Sequence, residues 1–313
     1  MTYGMEGKKM FDIIIIGSGA AGLSAGVYAK RAGMDLLVIE KSPMSGGQIL
    51  NTYEVDKYLG LPGINGFDMG MKFREHADKL EVPFKEAEVL EIKDLGDKKI
   101  VRTDKEELET KSIILATGAH HALLGVPGEE ELSGMGVSYC ATCDGAFFRK
   151  KVVAVVGGGD VALEDAIYLA RTSAKVYLIH RRDELRGTKV LQEELLAMEN
   201  VEVLYSHVVK EICGEDSVEK LILEDVKTGE KKERPVNGIF IAVGIHPDSE
   251  LVKGIVEMDQ AGYVIADETC VSSCPGIFAA GDVRKKPIRQ VVTAVADGAN
   301  AATSAGTYVN QLR

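Results

Sequence analysis

The chain has 313 residues, of which 45% are hydrophobic and 27% charged, so it has globular proportions and enough length for roughly two domains of ~150 residues. Its net charge of −11 argues against a general affinity for nucleic acid or anionic membranes, because both attract positive surface. No run approaches the ~20 apolar residues of a membrane span, and no signal peptide is recognisable, so we expect a cytoplasmic protein.

The first regular elements begin after a polar extension at residues 1–10. Residues 12–16 form a nearly continuous β-branched run, which is typical of a parallel strand covered on both faces. The motif Gly-Ser-Gly-Ala-Ala-Gly follows at residues 17–22, and it leads into a predicted helix over 23–32. Residues 36–39 predict a second strand.

This order of strand, glycine turn, helix and strand predicts a dinucleotide-binding site. Gly17 permits the tight turn, Gly19 lets a pyrophosphate approach the backbone, and Gly22 lets helix and strand pack closely. Glu40, 18 residues past Gly22, is placed to accept hydrogen bonds from ribose hydroxyls. Both FAD and NADH satisfy a carboxylate at this position.

The rest of the first domain is less regular. Residues 42–70 are rich in Gly, Pro and Asn and predict loops, and residues 71–80 predict a helix. Residues 84–110 mix charged and β-forming types, as strands of an inserted sheet do. Residues 113–118 predict a buried strand that ends in a glycine turn and returns the chain to the first sheet.

The nucleotide-binding pattern then begins again. A buried strand at 152–156 runs into Gly-Gly-Gly-Asp-Val-Ala at 157–162, a helix continues to about 170, and a second strand covers 176–179. The two copies align at a constant offset of 140 residues. An internal duplication of the dinucleotide fold is the simplest interpretation.

The two copies differ at the end of their second strand. His180 stands where the first copy has Glu40, and Arg181, Arg182 and Arg186 follow it. An acid favours a free 2′-hydroxyl, whereas guanidinium groups favour a 2′-phosphate, so the second copy is predicted to hold NADPH. The alternative is a solvated basic cluster. For the first copy FAD fits better than NADH, because two nicotinamides could not readily pass electrons to a disulfide.

A Cys-x-x-Cys pair, Cys140 and Cys143, lies between the two copies. In a reducing compartment such a pair is more often catalytic or metal-binding than a structural staple. A zinc site needs about four ligands, and no second pair has suitable spacing, so we predict no metal site. Asp144 is a candidate proton carrier, with a helix-capping role as the alternative. The other cysteines predict buried small hydrophobic side chains, namely Cys213, Cys270 and Cys274.

The C-terminal part predicts another strand and glycine turn. Residues 276–280 predict a strand, Gly281 and Asp282 follow it, and residues 291–306 predict a small-residue helix. The predicted fold is α/β, with two Rossmann-like dinucleotide-binding domains. The second domain is inserted into a discontinuous first one, with FAD-binding parts at 1–121 and 247–313 and an NADPH-binding part at 122–246.

Taken in this order, the motifs GSGAAG, CATCDG, GGGDVA, HRRDELR and AAGDV make the chain resemble the bacterial-type, low-molecular-weight thioredoxin reductases over nearly its whole length. The resemblance implies a homodimer that binds FAD in the split domain and NADPH in the inserted one. By motif matching, the implied FAD contacts are Gly17, Gly19, Ala20, Glu40, Gly47, Gln48, Gly281, Asp282, Arg289, Gln290 and Val291. The implied NADPH contacts are Gly158, Gly159, Asp160, His180, Arg181, Arg182 and Arg186.

The resemblance also implies that Cys143 is the sulfur nearer the flavin and that Cys140 attacks the disulfide of a thioredoxin-like partner. The chain departs from the family pattern where Lys57 and Leu59 replace an Asn and a Pro, which puts a flavin contact from position 57 in doubt. Three alternatives stay open: a flavin-dependent dithiol oxidase, a reductase of another disulfide partner, and a redox sensor without turnover. Ferredoxin as electron donor is disfavoured by the intact Gly157–Gly159 turn and the three arginines.

Overall fold

The computed structural model describes residues 10–312 apart from Tyr53 and Asp56. The described strands are β1 (Met10–Ile16), β2 (Leu36–Glu40), β3 (Phe84–Glu86), β4 (Val89–Asp94), β5 (Lys99–Thr103), β6 (Glu107–Leu115), β7 (Ala119–His121), β8 (Val137–Ser138), β9 (Val152–Val156), β10 (Lys175–His180), β11 (Val201–Tyr205), β12 (His207–Cys213), β13 (Lys220–Asp225), β14 (Lys231–Pro235), β15 (Gly238–Ile241), β16 (Ile245–Pro247) and β17 (Ile277–Ala279). The α-helices are α1 (Ala20–Arg31), α2 (Gly66–Lys79), α3 (Ala141–Asp144), α4 (Asp160–Ala170), α5 (Lys189–Leu196) and α6 (Val291–Gln311). Within this part of the chain, no helix combines the length and apolar content that crossing a bilayer requires.

The described residues group into two compact units. The first runs up to Thr52, resumes over Ile64–His120 and ends with the chain from His246 on. The second takes His121–Ile245 and the described residues of Tyr53–Gly63. The grouping of this short segment with the second unit has no counterpart in the predicted boundaries. The assignment of one cofactor to each domain stays a prediction.

A seven-stranded sheet forms the centre of the first unit. Strands β3, β2, β1 and β6 are parallel neighbours, and β5 and β4 continue from β6 in antiparallel order. The same edge of β6 serves two strands in succession, because its residues 107–110 pair with β5 and its residues 113–115 pair with β17. The carboxyl ends of β1, β2, β6 and β17 therefore lie along one edge of the sheet.

Four consecutive isoleucines explain why β1 is the middle of this unit. Side chains alternate along a strand, so Ile13 and Ile15 enter one hydrophobic cluster while Ile14 and Ile16 enter the other. All four are at most 4% exposed. The first cluster includes residues of α1 and α6, and the second includes the inner side of β4 and β5. The predicted strand buried on both faces is confirmed.

Helix α2 begins earlier than the sequence suggests. The Gly and Asn content of residues up to 70 predicts loops, yet the helix starts at Gly66. The Asn65 side chain caps it by accepting a hydrogen bond from the Asp68 N–H at 2.7 Å. A Cβ at Gly66 would lie 1.8 Å from the Ile49 carbonyl oxygen. This glycine is thus required for close packing of the first helical turn and does not mark a loop.

The second unit repeats the parallel pattern on a smaller scale. Its main sheet has the order β11, β10, β9, β15 and β8, all parallel. Helix α4 follows β9, and its buried residues pack with Val153 and Val155. A separate antiparallel sheet of β12, β13 and β14 contributes to the cluster on the other face. Two units with this order of parallel strands and crossing helices confirm the predicted α/β class with Rossmann-like domains.

Candidate active site

Cys140 and Cys143 form a disulfide at the start of the short helix α3. Cys140 precedes the helix in extended backbone, and its carbonyl oxygen accepts hydrogen bonds at 3.1 Å from the Cys143 and Asp144 N–H groups. Ala141 between the two sulfurs is fully buried, so it fixes the helix to the cluster below. The spacing of three residues therefore places both sulfurs on one turn.

Ser138 links the disulfide to the acid that follows it. Its hydroxyl accepts a hydrogen bond from the Cys140 N–H at 3.1 Å and donates one to Asp144 Oδ2 at 2.6 Å. The sequence does not single out Ser138, because its role depends on a side-chain contact six residues away. Asp144 is the last residue of α3 and stands at the N-cap position of the following 3-10 helix, Gly145–Phe148, but its side chain makes no capping hydrogen bond there. The helix-capping alternative for Asp144 is therefore wrong.

The surroundings of the Asp144 carboxyl group favour its protonated form. Burial raises its pKa, and the Ser138 hydrogen bond and the charge of Lys57 oppose the rise. Its Oδ1 atom is buried and has no hydrogen-bond partner among the described residues. A carboxyl group with a raised pKa and one unused oxygen, one residue beyond a disulfide sulfur, can hold and release a proton there.

Lys57, like Ser138, has a role beside the disulfide that the sequence motifs did not predict. It belongs to the short segment that groups with the second unit, and it interacts electrostatically with Asp144. Burial lowers the pKa of the Lys57 ammonium, and the Asp144 carboxylate opposes that change. The residue that departs from the family pattern thus acts on the acid beside the disulfide.

The first glycine turn lies at the carboxyl end of β1. Gly17 has a φ of +100°, and a Cβ there would lie 2.5 Å from the Ala116 carbonyl oxygen. A Cβ on Gly22 would lie 1.9 Å from the Gly17 carbonyl oxygen, so helix α1 and the turn touch through backbone alone. The N–H groups at the beginning of α1 are the ones that an anion would meet.

Glu40 closes the same site from the end of β2. Its Oε2 atom accepts hydrogen bonds from the Ser18 N–H at 2.7 Å and the Ser18 hydroxyl at 2.9 Å. Its Oε1 atom accepts one from the Ser42 N–H at 3.0 Å. These bonds keep the carboxylate at the mouth of the glycine turn, and the sequence motifs do not predict this role for Ser18.

Two further predicted groups lie at this edge of the sheet. Gly46 donates its N–H to the Ser18 carbonyl at 2.9 Å, and Gly47 and Gln48 begin the short helix that follows. Gly281 and Asp282 follow β17, where the Gly281 N–H donates to the Asp297 carboxylate at 3.0 Å. The structure therefore brings the turns after β1, β2 and β17 together.

Buried polar atoms without hydrogen bonds mark the segment that runs from β17 to α6. Asp282 Oδ1 and Arg289 Nε are buried and have no hydrogen-bond partner among the described residues. The Arg289 guanidinium lies 4.1 Å from the centre of the Tyr263 ring. Gln290 and Thr293 form a capping box at the start of α6, which begins at Val291. Unused buried acceptors and donors at the end of a parallel sheet suit a polar cofactor such as a flavin nucleotide.

The second glycine turn lies after β9 and is lined by a histidine. A Cβ on Gly158 would lie 2.3 Å from the His180 ring, so the ring packs directly on this glycine. His180 is 4% exposed, its Nε2 atom has no partner among the described residues, and burial lowers its pKa. Asp160 accepts a hydrogen bond from the Thr188 N–H at 2.7 Å, and the Arg186 N–H donates to the Gly158 carbonyl at 2.7 Å.

The three arginines of this turn are exposed. Arg181 and Arg182 follow β10 in a bend, and Arg186 lies beside Gly158 through its backbone. Among the described residues, no carboxylate is paired with any of these three guanidinium groups. The nearby Asp183 carboxylate instead pairs with Lys227 at 3.2 Å. The positive charges are therefore available to an anionic ligand at the end of the second strand.

The remaining cysteines are free thiols. Cys270 is 0% and Cys274 is 7% exposed, which confirms that both are buried small side chains. Burial raises the pKa of Cys270 to about 12 and that of Cys274 to about 11. Cys213 is only half-buried in β12, so the prediction of a buried side chain is wrong for this residue. Partial burial raises its pKa as well.

Comparison with known proteins gives a family for the chain. Residues 11–298 match the model of the pyridine nucleotide-disulphide oxidoreductase family. Thioredoxin reductase from Bacillus subtilis is 42% identical over 310 residues, which cover 99% of this chain and 98% of the relative. Thioredoxin reductase from Listeria innocua is 42% identical over 307 residues, covering 98% of this chain and 96% of the relative.

The solved structures agree with the sequence matches. The crystal structure of thioredoxin reductase from Streptococcus pyogenes is 44% identical and has a TM-score of 0.94, with 97% of this chain and 100% of that chain covered. The predicted resemblance is thus confirmed, and with it the use of a flavin and a nicotinamide cofactor. The chain belongs to the pyridine nucleotide-disulphide oxidoreductases and, within them, to the thioredoxin reductases.

Proposed function

We propose that this protein is an NADPH-dependent thioredoxin-disulfide reductase that passes electrons through FAD and the Cys140–Cys143 disulfide to a thioredoxin-like protein. The observation that carries the proposal is the disulfide with the buried Asp144 carboxyl group tied to it through Ser138. In the complete reaction NADPH and one proton reduce the partner disulfide to a dithiol, and NADP⁺ leaves. We also propose a cytoplasmic homodimer, as the resemblance implies.

FAD is proposed for the first unit. Glu40 at the mouth of the Gly17 turn supports a ribose with free hydroxyls, and the unused atoms of Asp282 and Arg289 support a second polar part of the same cofactor. A nicotinamide in both turns would leave no group able to pass electrons to a disulfide. When bound, the flavin supplies the step between a hydride donor and a disulfide acceptor.

NADPH is proposed for the second unit. His180 packs on Gly158, and burial lowers its pKa, which favours the uncharged ring. Within the described residues, the three exposed guanidinium groups are therefore the only charges of this turn that suit a 2′-phosphate. Arg is suited to this task because its planar group binds phosphate oxygens in pairs. The proposed contacts are Gly158, Gly159, Asp160, His180, Arg181, Arg182 and Arg186.

Proton transfer is assigned to Asp144. Reduction of the disulfide and its reoxidation by the partner require protons to reach and leave sulfur atoms. Asp144 holds a proton more readily than an exposed acid because burial raises its pKa, and Ser138 keeps its Oδ2 oriented. Cys140 is the attacking thiol and Cys143 the sulfur nearer the flavin.

The test is a titration of the flavin-loaded protein followed by its absorbance. NADPH should bleach the flavin rapidly, and oxidised thioredoxin should restore the colour while its disulfide is reduced. Restoration by oxygen at the same rate without thioredoxin would indicate the dithiol oxidase instead. Slow bleaching by NADPH would indicate a redox sensor without turnover.

A further inference from the structure

A cluster of four charged side chains joins the turn after β17 to α6, and its centre is Asp297 of α6. Arg284, Lys286 and Asp297 are buried, whereas the Asp282 side chain is 33% exposed. Asp297 is 3% exposed, and its carboxylate accepts hydrogen bonds from Arg284 Nε at 2.9 Å and Arg284 Nη2 at 2.7 Å. It also accepts the Gly281 N–H at 3.0 Å. One buried acid therefore fixes both the turn after β17 and the side chain three residues further on.

Lys286 is the residue that joins this cluster to the proposed flavin site. Its side chain is 2% exposed, and its Nζ atom lies 3.0 Å from Asp297 Oδ2 and 3.3 Å from Asp282 Oδ1. Among the described residues, no other ammonium or guanidinium group lies within 4 Å of the Asp282 carboxylate. Lys286 thus bridges the acid that holds the turn and the acid predicted to contact the cofactor.

The charges within the cluster balance. Arg284 is engaged with both oxygens of Asp297, so Lys286 is the cation left for Asp282. A buried carboxylate without a cation is costly, and such groups take up a proton instead. Burial does raise the pKa of Asp282, and Lys286 is the largest influence that opposes this rise, ahead of Arg289.

We propose that Lys286 is a positioning residue for the flavin cofactor, which keeps the Asp282 carboxylate charged and fixed in orientation so that it can accept hydrogen bonds from the cofactor. The inference rests on the proposed function, since it takes FAD as the ligand of this turn. Asp282 Oδ1 fits this role because it is buried, is ion-paired with Lys286 at 3.3 Å and accepts no further hydrogen bond among the described residues. A charged acceptor binds hydroxyl donors more strongly than a neutral carboxylic acid does.

No sequence pattern indicates that the four residues of the cluster, Asp282, Arg284, Lys286 and Asp297, lie together. Lys286 stands in a run of basic residues, Arg284, Lys285 and Lys286, which is typical of a solvated surface. In the structure Lys285 is exposed while its two neighbours are buried. The backbone is extended at Arg284, where it pairs with Val264, and the side chains alternate in burial from there to Lys286. Lys285 is therefore a matched control of the same type and the adjacent position.

The experiment compares Lys286→Met with Lys285→Met. Apoprotein of each variant is titrated with FAD, and the dissociation constant is measured by the change in flavin fluorescence at several pH values. We expect Lys286→Met to raise the dissociation constant by about tenfold or more at neutral pH, because a buried acceptor loses its paired cation. Lys285→Met should bind FAD like the unmodified protein.

The pH dependence separates positioning from packing. Without Lys286, Asp282 faces Arg289, Asp297 and Tyr263, and it should take up a proton at a higher pH than before. The dissociation constant of Lys286→Met should therefore rise further as the pH falls and recover as the pH is raised. A uniform weakening at all pH values would mean that Lys286 acts only through packing and would overturn the proposal.

A double variant tests whether Lys286 acts through Asp282. Asp282→Asn removes the charge that Lys286 is proposed to hold, so adding Lys286→Met to it should weaken FAD binding little further. Equal weakening in both backgrounds would contradict the proposal. Failure of the unmodified protein to bind FAD would instead refute the proposed function, and normal binding by Lys286→Met would refute only the role of Lys286.

Discussion

Replacement of Arg181 and Arg182 by Ala tests the proposed choice between the two nicotinamide cofactors. Both side chains are exposed and are not paired with carboxylates among the described residues, so the change removes positive charge without freeing an acid. NADPH and NADH differ only in the 2′-phosphate. We expect the variant to lose affinity for NADPH while its affinity for NADH is nearly unchanged.

The size of the effect follows from the kind of contact. A hydrogen bond to a charged group contributes about 1.5–3 kcal/mol. Exposure and salt screening place these arginines at the lower end, so two of them together contribute about 3 kcal/mol. This corresponds to a rise of roughly 100-fold in KM for NADPH, since every 1.4 kcal/mol is about tenfold.

The assay measures the rate of flavin reduction against the concentration of each nicotinamide. Arg171→Ala is a suitable control, because Arg171 is an exposed arginine of the same unit, paired with Glu194 at 3.7 Å. This control should leave both Michaelis constants unchanged. If the double variant raised the constants for NADPH and NADH equally, the proposed phosphate contact would be wrong.

Three more changes test the disulfide site and the core. Lys57→Asn removes a positive charge that opposes the rise in the pKa of Asp144, so this acid should stay protonated to higher pH. The alkaline limb of the pH profile of partner reduction should then move upward, and a downward shift would contradict the assignment. Cys140→Ser should retain flavin reduction by NADPH but lose partner reduction; continued turnover would exclude Cys140 as the attacking thiol. Ile15→Ala, at a fully buried position, should lower the free energy of unfolding by about 2–5 kcal/mol in chemical denaturation. Val190→Ala, at a position 73% exposed, is its control and should change little.

Those parts of the fold that depend on local patterns could be predicted from the sequence. The isoleucines of β1 alternate between two apolar clusters, so their run has to be continuous for a strand that is covered on both faces. The repeat at an offset of 140 residues predicts the second parallel sheet, because the same pattern of strand, glycine turn and helix folds in the same way twice. The glycines of both turns are recognisable because a backbone that approaches a helix this closely excludes a side chain.

Contacts between distant residues could not be predicted in the same way. Asp297 and Arg284 are 13 residues apart on different elements, and only the packing of α6 brings them together. The role of Lys57 likewise depends on how its segment folds toward Asp144. Sequence alone indicates only that Lys57 departs from a pattern. The predicted start of α2 is wrong because the loop preference of Gly66 takes no account of the space available to a side chain there.

The state of the other thiols has a consequence for a protein that exchanges disulfides. Only a thiolate attacks a disulfide, and Cys213, Cys270 and Cys274 all have raised pKa values and so remain protonated near neutral pH. The thiols of these three cysteines therefore do not attack the chain's own disulfide or the disulfide of a partner. Alkylation of the reduced native protein should accordingly label the Cys140–Cys143 pair first, the half-buried Cys213 more slowly, and Cys270 and Cys274 only after unfolding.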